Sequence, residues 1–199
     1  MRRRRAGAAV LLAMLAAAAA YGQSAEASLS LGASTFTDKN LGELGAAGTA
    51  RETLRLENGL RVSARFSLNS RRFLGHEFGY GYDRTKLVFS VQGKTGMAVH
   101  QGFYDLVLHA LPVGSLLRPF VCGGAGFSSF FPPGTSAFSG NGITKFGYNY
   151  GAGVKLKTGP VWGIRVDVRD YVTGKPFDLP NVRGRLHNIE LSAGVAIFL

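Results

Sequence analysis

The stretch Asn188-Ile189-Glu190-Leu191-Ser192-Ala193-Gly194-Val195-Ala196-Ile197-Phe198-Leu199 alternates strictly. Ile189, Leu191, Ala193, Val195, Ile197 and Leu199 share one face; Asn188, Glu190, Ser192, Gly194, Ala196 and Phe198 share the other. Period-two alternation sustained over about ten residues reads as a β-strand, and at that length as one able to cross a bilayer at a tilt. A helix would need apolar residues at i, i+3, i+4 and i+7, and no sustained run of that kind follows Gln23.

Working outward, seven further segments follow the same rule. Leu29, Leu31 and Ala33 alternate with serines and Gly32; Leu60, Val62, Ala64, Phe66 and Leu68 alternate with Arg61, Ser63, Arg65, Ser67 and Asn69. Phe78, Tyr80 and Tyr82 alternate with Glu77, two glycines and Asp83; Tyr104, Leu106, Leu108 and Ala110 alternate with Asp105, Val107 and His109. Phe146 to Leu156 alternates with Gly147, Asn149, Gly151, Gly153 and Lys155, and Trp162, Ile164, Val166 and Val168 alternate with Gly163, Arg165, Asp167 and Arg169. Pro119 to Phe130 is Gly-rich, and its faces cannot be assigned from the pattern.

The connections differ in length. Ser70-Arg71-Arg72 and Thr158-Gly159-Pro160 are short, and about eight residues around Pro112 and Gly114 join the fourth and fifth segments. Residues 38–58, 85–101, 131–145 and 173–186 read as long loops. Short turns at one end and long loops at the other describe an up-and-down barrel with both termini at the turn end.

The chain has 199 residues, enough for one domain; 18% are charged, below the ~25% of soluble domains, and 28 are glycine. These values exclude a charge-rich disordered chain and a coiled coil. The single cysteine, Cys122, excludes an intramolecular disulfide. The formal charge of +11 invites a nucleic-acid reading, but Arg2, Arg3, Arg4 and Arg5 stand before the apolar run Ala6–Ala20. A basic n-region, an apolar h-region and small residues at Ala20 and Gly22 define a secretory signal peptide. The expected cut precedes Gln23, giving a leader over 1–22 and a mature domain over 23–199; Ala25-Glu26-Ala27 offers a second site. Losing those four arginines takes the charge from +11 to +7, and no nucleic-acid partner is expected.

Alternation alone does not say which face is inside. A soluble barrel would turn its apolar face inward. Here the polar face carries Arg61, Arg65, Glu77, Asp83, Asp105, Lys155, Arg165, Asp167, Arg169 and Glu190, many of them mid-strand. Aromatics such as Phe78, Tyr80, Tyr148 and Trp162 lie on the apolar face, as in the interfacial girdles of membrane barrels. With the signal peptide, these features put the apolar face in lipid. The expected fold is all-β: an eight-stranded antiparallel up-and-down transmembrane β-barrel behind a cleaved signal peptide. Five acids and five bases then point into an interior just wide enough for side chains, which predicts a salt-bridged lumen. Within it, Glu190 is expected to pair with Arg165, Asp167 or Arg169 on the neighbouring strand.

The tail resembles the C-terminal assembly signal of bacterial outer-membrane barrels, with Ser192, Gly194, Ile197 and Leu199 on the signal's positions and Phe198 penultimate rather than last. Tyr150–Lys155 and Arg165–Tyr171 also look like strands of small OmpA-like or OmpX-like barrels. The resemblance implies the bacterial outer membrane as location, its lipid and lipopolysaccharide as surroundings, and the barrel assembly machinery as a partner. The implied role is structural or surface-interactive, with a narrow porin-like channel as the alternative.

Some small barrels modify lipid A with a His, a Ser and an acid, which makes the four histidines candidates. His187 falls at the loop end on the lipid-facing side, with Ser34 or Ser128 as companions; His109 falls in the lumen, His76 near a turn, and His100 in a long loop. No lipase-type G-x-S-x-G is present, the histidines are scattered, and Gly123-Gly124-Ala125-Gly126 lacks the Lys-Ser/Thr of a phosphate loop. No enzymatic activity, metal or cofactor is expected.

Overall fold

The computed structural model describes residues 24–44, 52–69, 72–132, 134–135, 142–177, 179 and 184–199. The leader over 1–22 lies outside them. Among the described residues there are ten strands: β1 (Ser24–Thr37), β2 (Asn40–Leu44), β3 (Glu52–Leu56), β4 (Gly59–Asn69), β5 (Leu74–Phe89), β6 (Gly93–His109), β7 (Leu117–Phe131), β8 (Ile143–Lys157), β9 (Trp162–Gly174) and β10 (Arg185–Phe198). Eight of them, β1 and β4 to β10, form a closed antiparallel barrel in which each pairs with the next and β10 returns to β1. Closure satisfies every ladder without a free edge, as a sheet in hydrocarbon requires. The short β2–β3 hairpin stands on the rim, where β3 pairs with the last residues of β5.

Two loop expectations are corrected: residues 38–58, expected as a long loop, carry the β2–β3 hairpin. Residues 85–101 are not a long loop: β5 runs to Phe89, β6 starts at Gly93, and only three residues separate them. His100 therefore sits in a strand, paired with Tyr82. The reason is an inversion of the polarity code partway up the wall. On β5, Phe78 and Tyr80 face outward below, but Arg84 and Lys86 face outward above; Glu77 and Asp83 point in below, but Leu87 points in above. On β10, Leu191 and Ile189 give way outward to His187 and Arg185, while Glu190 and Asn188 give way inward to Leu186. On β1 the inward serines end at Phe36. The alternation never stops; the solvents on its two sides change. Above the level of inversion the outer face leaves hydrocarbon and meets water, and the inside becomes an apolar core.

Two glycines give the lumen its room. A Cβ on Gly81 would lie 2.1 Å from a guanidinium nitrogen of Arg61, and one on Gly79 would lie 2.0 Å from the Phe103 ring. Larger residues there would displace the side chains that fill the interior.

Candidate functional site

The lumen is filled in two layers. The lower layer holds the ten charged residues read from the polar face, Arg61, Arg65, Glu77, Asp83, Asp105, Lys155, Arg165, Asp167, Arg169 and Glu190, and none is more than 3% exposed. Strand alternation supplies their direction, and tilt staggers their heights. Long guanidinium side chains then reach carboxylates on distant strands.

Arg165 on β9 donates to both oxygens of Glu77 on β5, at 2.6 and 3.1 Å, and to Asp167 on its own strand at 2.7 and 3.0 Å. Arg169 donates to Glu77 and to Asp105 on β6, each at 2.5 Å. A second knot lies between β4 and β10: Glu190 accepts from Arg65 at 2.6 Å and pairs with Arg61 at 2.9 Å. Ser63, Ser192 and Tyr171 complete the donors around Glu190. Arg61 also donates to Asp83 at 2.7 Å, and Asn188 donates to the same carboxylate at 2.9 Å. Such multiple partnering is what a low-dielectric interior demands of a charge.

Glu190 is thus not bonded to Arg165, Asp167 or Arg169. Although Glu190 and Arg169 are register partners, the carboxylate reaches over β1 to β4 and leaves the β9 charges to β5 and β6. Pairing distance along a sheet does not predict partners when the sheet is rolled into a narrow tube.

Residues absent from that set also belong to it. Glu26 on β1 accepts from Lys155 at 2.6 Å; it precedes Leu29, the first apolar residue of the alternating pattern, whereas β1 begins at Ser24. Arg118 lies inward at the foot of β7, donating to Asn69 at 2.9 Å and to the Leu111 carbonyl at 3.1 Å. Aromatic rings back the cations: Tyr171 lies 4.5 Å from the Arg61 guanidinium and Phe120 lies 4.9 Å from that of Arg165. The missing signal was parity in β7, which the glycines hid; with β7 in place, Arg118, Phe120, Cys122, Ser128 and Phe130 all point inward.

Above the charges, Gln101 forms a transition, donating to Ser128 at 2.8 Å and accepting from Arg61. Then comes an apolar cap: Phe36, Leu41, Leu54, Leu56, Leu87, Met97, Val99, Phe130 and Leu186 form one buried cluster, with Phe177 and Leu179 against it. Four of its members, Leu41, Leu54, Leu56 and Leu87, come from the rim hairpin and the strand it extends.

The histidines separate. His109 is buried at the turn end beside Phe120. On the outer face, His76 is bonded to the Tyr104 hydroxyl at 2.6 Å, and His100 is bonded to the Tyr80 hydroxyl between the edges of Tyr82 and Phe131. His187 Nδ1 lies 2.7 Å from Asp170, which also accepts from the Tyr150 hydroxyl at 2.8 Å. Ser34 and Ser128 are buried in the lumen, on the far side of the wall from His187, so neither completes a Ser–His–acid array with it. Among the described residues no group of three His, Cys, Asp or Glu side chains is placed to hold a metal ion.

At the tail, the Ser192 hydroxyl donates to Glu190 at 2.6 Å, and a Cβ on Gly194 would meet the Leu29 carbonyl at 2.1 Å. Ile197 pairs with both Ala27 and Trp162, and the Leu199 amide donates to the Ala25 carbonyl at 2.9 Å. Ser192, Gly194, Ile197 and Leu199 thus lie in the seam that closes the barrel.

Comparison with known proteins agrees with this architecture. The family model for the outer membrane protein beta-barrel domain matches residues 6–196. No curated protein sequence matches. Among solved structures, Neisserial surface protein A superposes with a TM-score of 0.58 at 15% identity, covering 88% of this chain and 96% of that one. The outer membrane protein OprG from Pseudomonas aeruginosa gives 0.58 at 10% identity, covering 89% and 95%. The N-terminal β-barrel domain of OprF from the same organism gives 0.54 at 12% identity, covering 88% and 97%. At these identities the likeness is one of fold. Closed eight-stranded topology, an apolar outer belt and the family match together place the chain in the bacterial outer membrane, and it belongs to the outer membrane protein beta-barrel domain family.

Proposed function

We propose that this protein is a closed-lumen barrel with a structural or surface-interaction role in the outer membrane, and that it does not conduct. The observation that carries this reading is the stacking of two unlike barriers. An ion would have to displace paired guanidinium and carboxylate groups in the lower layer. It would then have to shed its water to pass the cap formed by Phe36, Leu56, Val99 and Phe130. Either layer alone opposes an ion; an apolar constriction excludes water and a charged one traps the ion. Short turns face the periplasm and the rim hairpin faces outward in this reading, following the ordinary orientation of such barrels.

Single-channel recording in planar bilayers tests it. Purified wild-type protein is expected to give no sustained open steps above the bare-bilayer baseline. Reproducible ohmic steps scaling with salt concentration would establish the channel instead.

A further inference from the structure

The outer face just above the polarity inversion carries a feature the lumen does not explain. Between the β2–β3 hairpin and the tops of β4 and β5 the wall is notched, because β3 and β4 pair with successive parts of β5 and leave Glu57 and Asn58 between them. Two adjoining cavities of about 470 and 640 Å³ occupy the notch and share Glu57 and Asn58. Lys39 and Arg55 line the first; Arg84 and Lys86 line the second. Lys94 is bonded to Glu57, the one acid among the described residues of either lining. Lys94, with help from Lys86 and Lys39, holds the Glu57 carboxyl below the ordinary carboxylate range. Four cations line a surface with one carboxylate, and that carboxylate is already engaged.

Height and chemistry agree. Arg84 and Lys86 lie ten and twelve residues above Leu74, the foot of β5. At ~3.3 Å per residue and a tilt near 40°, that is about 25–30 Å, the top of the ~25 Å apolar band. Leu60, the register partner of Arg84 on β4, is 75% exposed and lines the second cavity beside the cations. An exposed apolar side chain next to basic groups suits an amphiphile with an anionic head.

We propose that this notch binds phosphate groups of an outer-leaflet lipid, with Arg55, Arg84 and Lys86 as the phosphate contacts, Lys39 at the side and Leu60 against an acyl chain. Arginine and lysine are the side chains suited to phosphate, Arg through paired N–H groups and Lys as a point charge. The proposal rests on outer-membrane placement and is independent of whether the lumen conducts.

The test uses the full barrel in non-ionic detergent, titrated with lipopolysaccharide lacking O-antigen and followed by native mass spectrometry. Each basic group near an anionic lipid surface contributes about fivefold to binding. The triple variant Arg55→Gln/Arg84→Gln/Lys86→Gln is therefore expected to bind at least about tenfold more weakly. Enzymatically dephosphorylated lipopolysaccharide should bind wild type as weakly as intact lipid binds the variant. The charge-preserving Arg55→Lys/Arg84→Lys/Lys86→Arg, matched to wild type in heat-modifiable mobility, should keep most of the affinity, which separates charge from folding. Affinity within twofold of wild type in the triple variant overturns the site. So does full displacement of the lipid by millimolar inorganic phosphate, since the site would then take a soluble anion.

Discussion

Arg165 on β9 and Glu77 on β5 stand on opposite sides of the barrel, with three strands between them by either route, and are joined by two hydrogen bonds of 2.6 and 3.1 Å. This pair braces the tube across its diameter. Removing one partner leaves the other charged in a place that water does not reach. Glu77→Ala or Arg165→Ala should each cost about 3–5 kcal/mol. The double variant should cost less than the sum by at least about 1 kcal/mol, measured by urea unfolding in lipid vesicles. Additive costs would mean that the two groups are solvated separately.

Glu190 offers a sharper version, because its neighbour in the sheet is not its partner. Its carboxylate is bonded to Arg65 and Arg61 on β4 and not to Arg169, its register partner. A double-mutant cycle should give coupling of about 1–3 kcal/mol between Glu190 and Arg65, and much less between Glu190 and Arg165. The reverse ranking would contradict the arrangement in which Glu190 reaches over β1 to β4.

The polarity inversion predicts opposite consequences for adjacent residues. Leu87 is buried in the cap while Lys86 faces out. Leu87→Ala should destabilise the barrel by about 2–5 kcal/mol, as in other packed cores. Lys86→Ala should stay within about 0.5 kcal/mol of wild type. Equal and small effects at both positions would return residues 85–101 to the status of a loose loop.

Much of this molecule is legible in its sequence because lipid imposes a simple code. Where the wall lies in hydrocarbon, as from Ile189 to Ile197, the alternation names both the strand and its faces. The code fails where the surroundings change. Leu87, Met97 and Val99 are apolar inward, and beside Arg84 and Lys86 they read as irregular only because the expectation of apolar-out was carried too far. It fails again at Gly123, Gly124 and Gly126, which carry no side chain to show a face. Partner choice was the least legible part: sequence parity puts Glu190 and Arg169 on one surface, but the curvature of the tube decides which charges meet.

Glu26 bears on maturation. Its carboxylate accepts from Lys155 at 2.6 Å, so a cut after Ala27 would remove the partner of a buried lysine. Intact mass of the protein from outer membranes should show a mature chain starting at Gln23. A start at Ser28 would contradict both the cleavage site and the place of Glu26 in the lumen.

The closed lumen is the centre of the account, and the protein carries its own reporter of it. Cys122, the only cysteine in the sequence, points inward from β7 against Val107 and Phe120. The direct measurement is the rate at which a charged, membrane-impermeant maleimide modifies Cys122 in the folded barrel, read by mass spectrometry against the urea-unfolded chain. The account predicts no appreciable modification of the folded protein over a time that labels the unfolded chain to completion. Labelling of the folded barrel at a rate near that of the unfolded chain would show a hydrated, open lumen and contradict it.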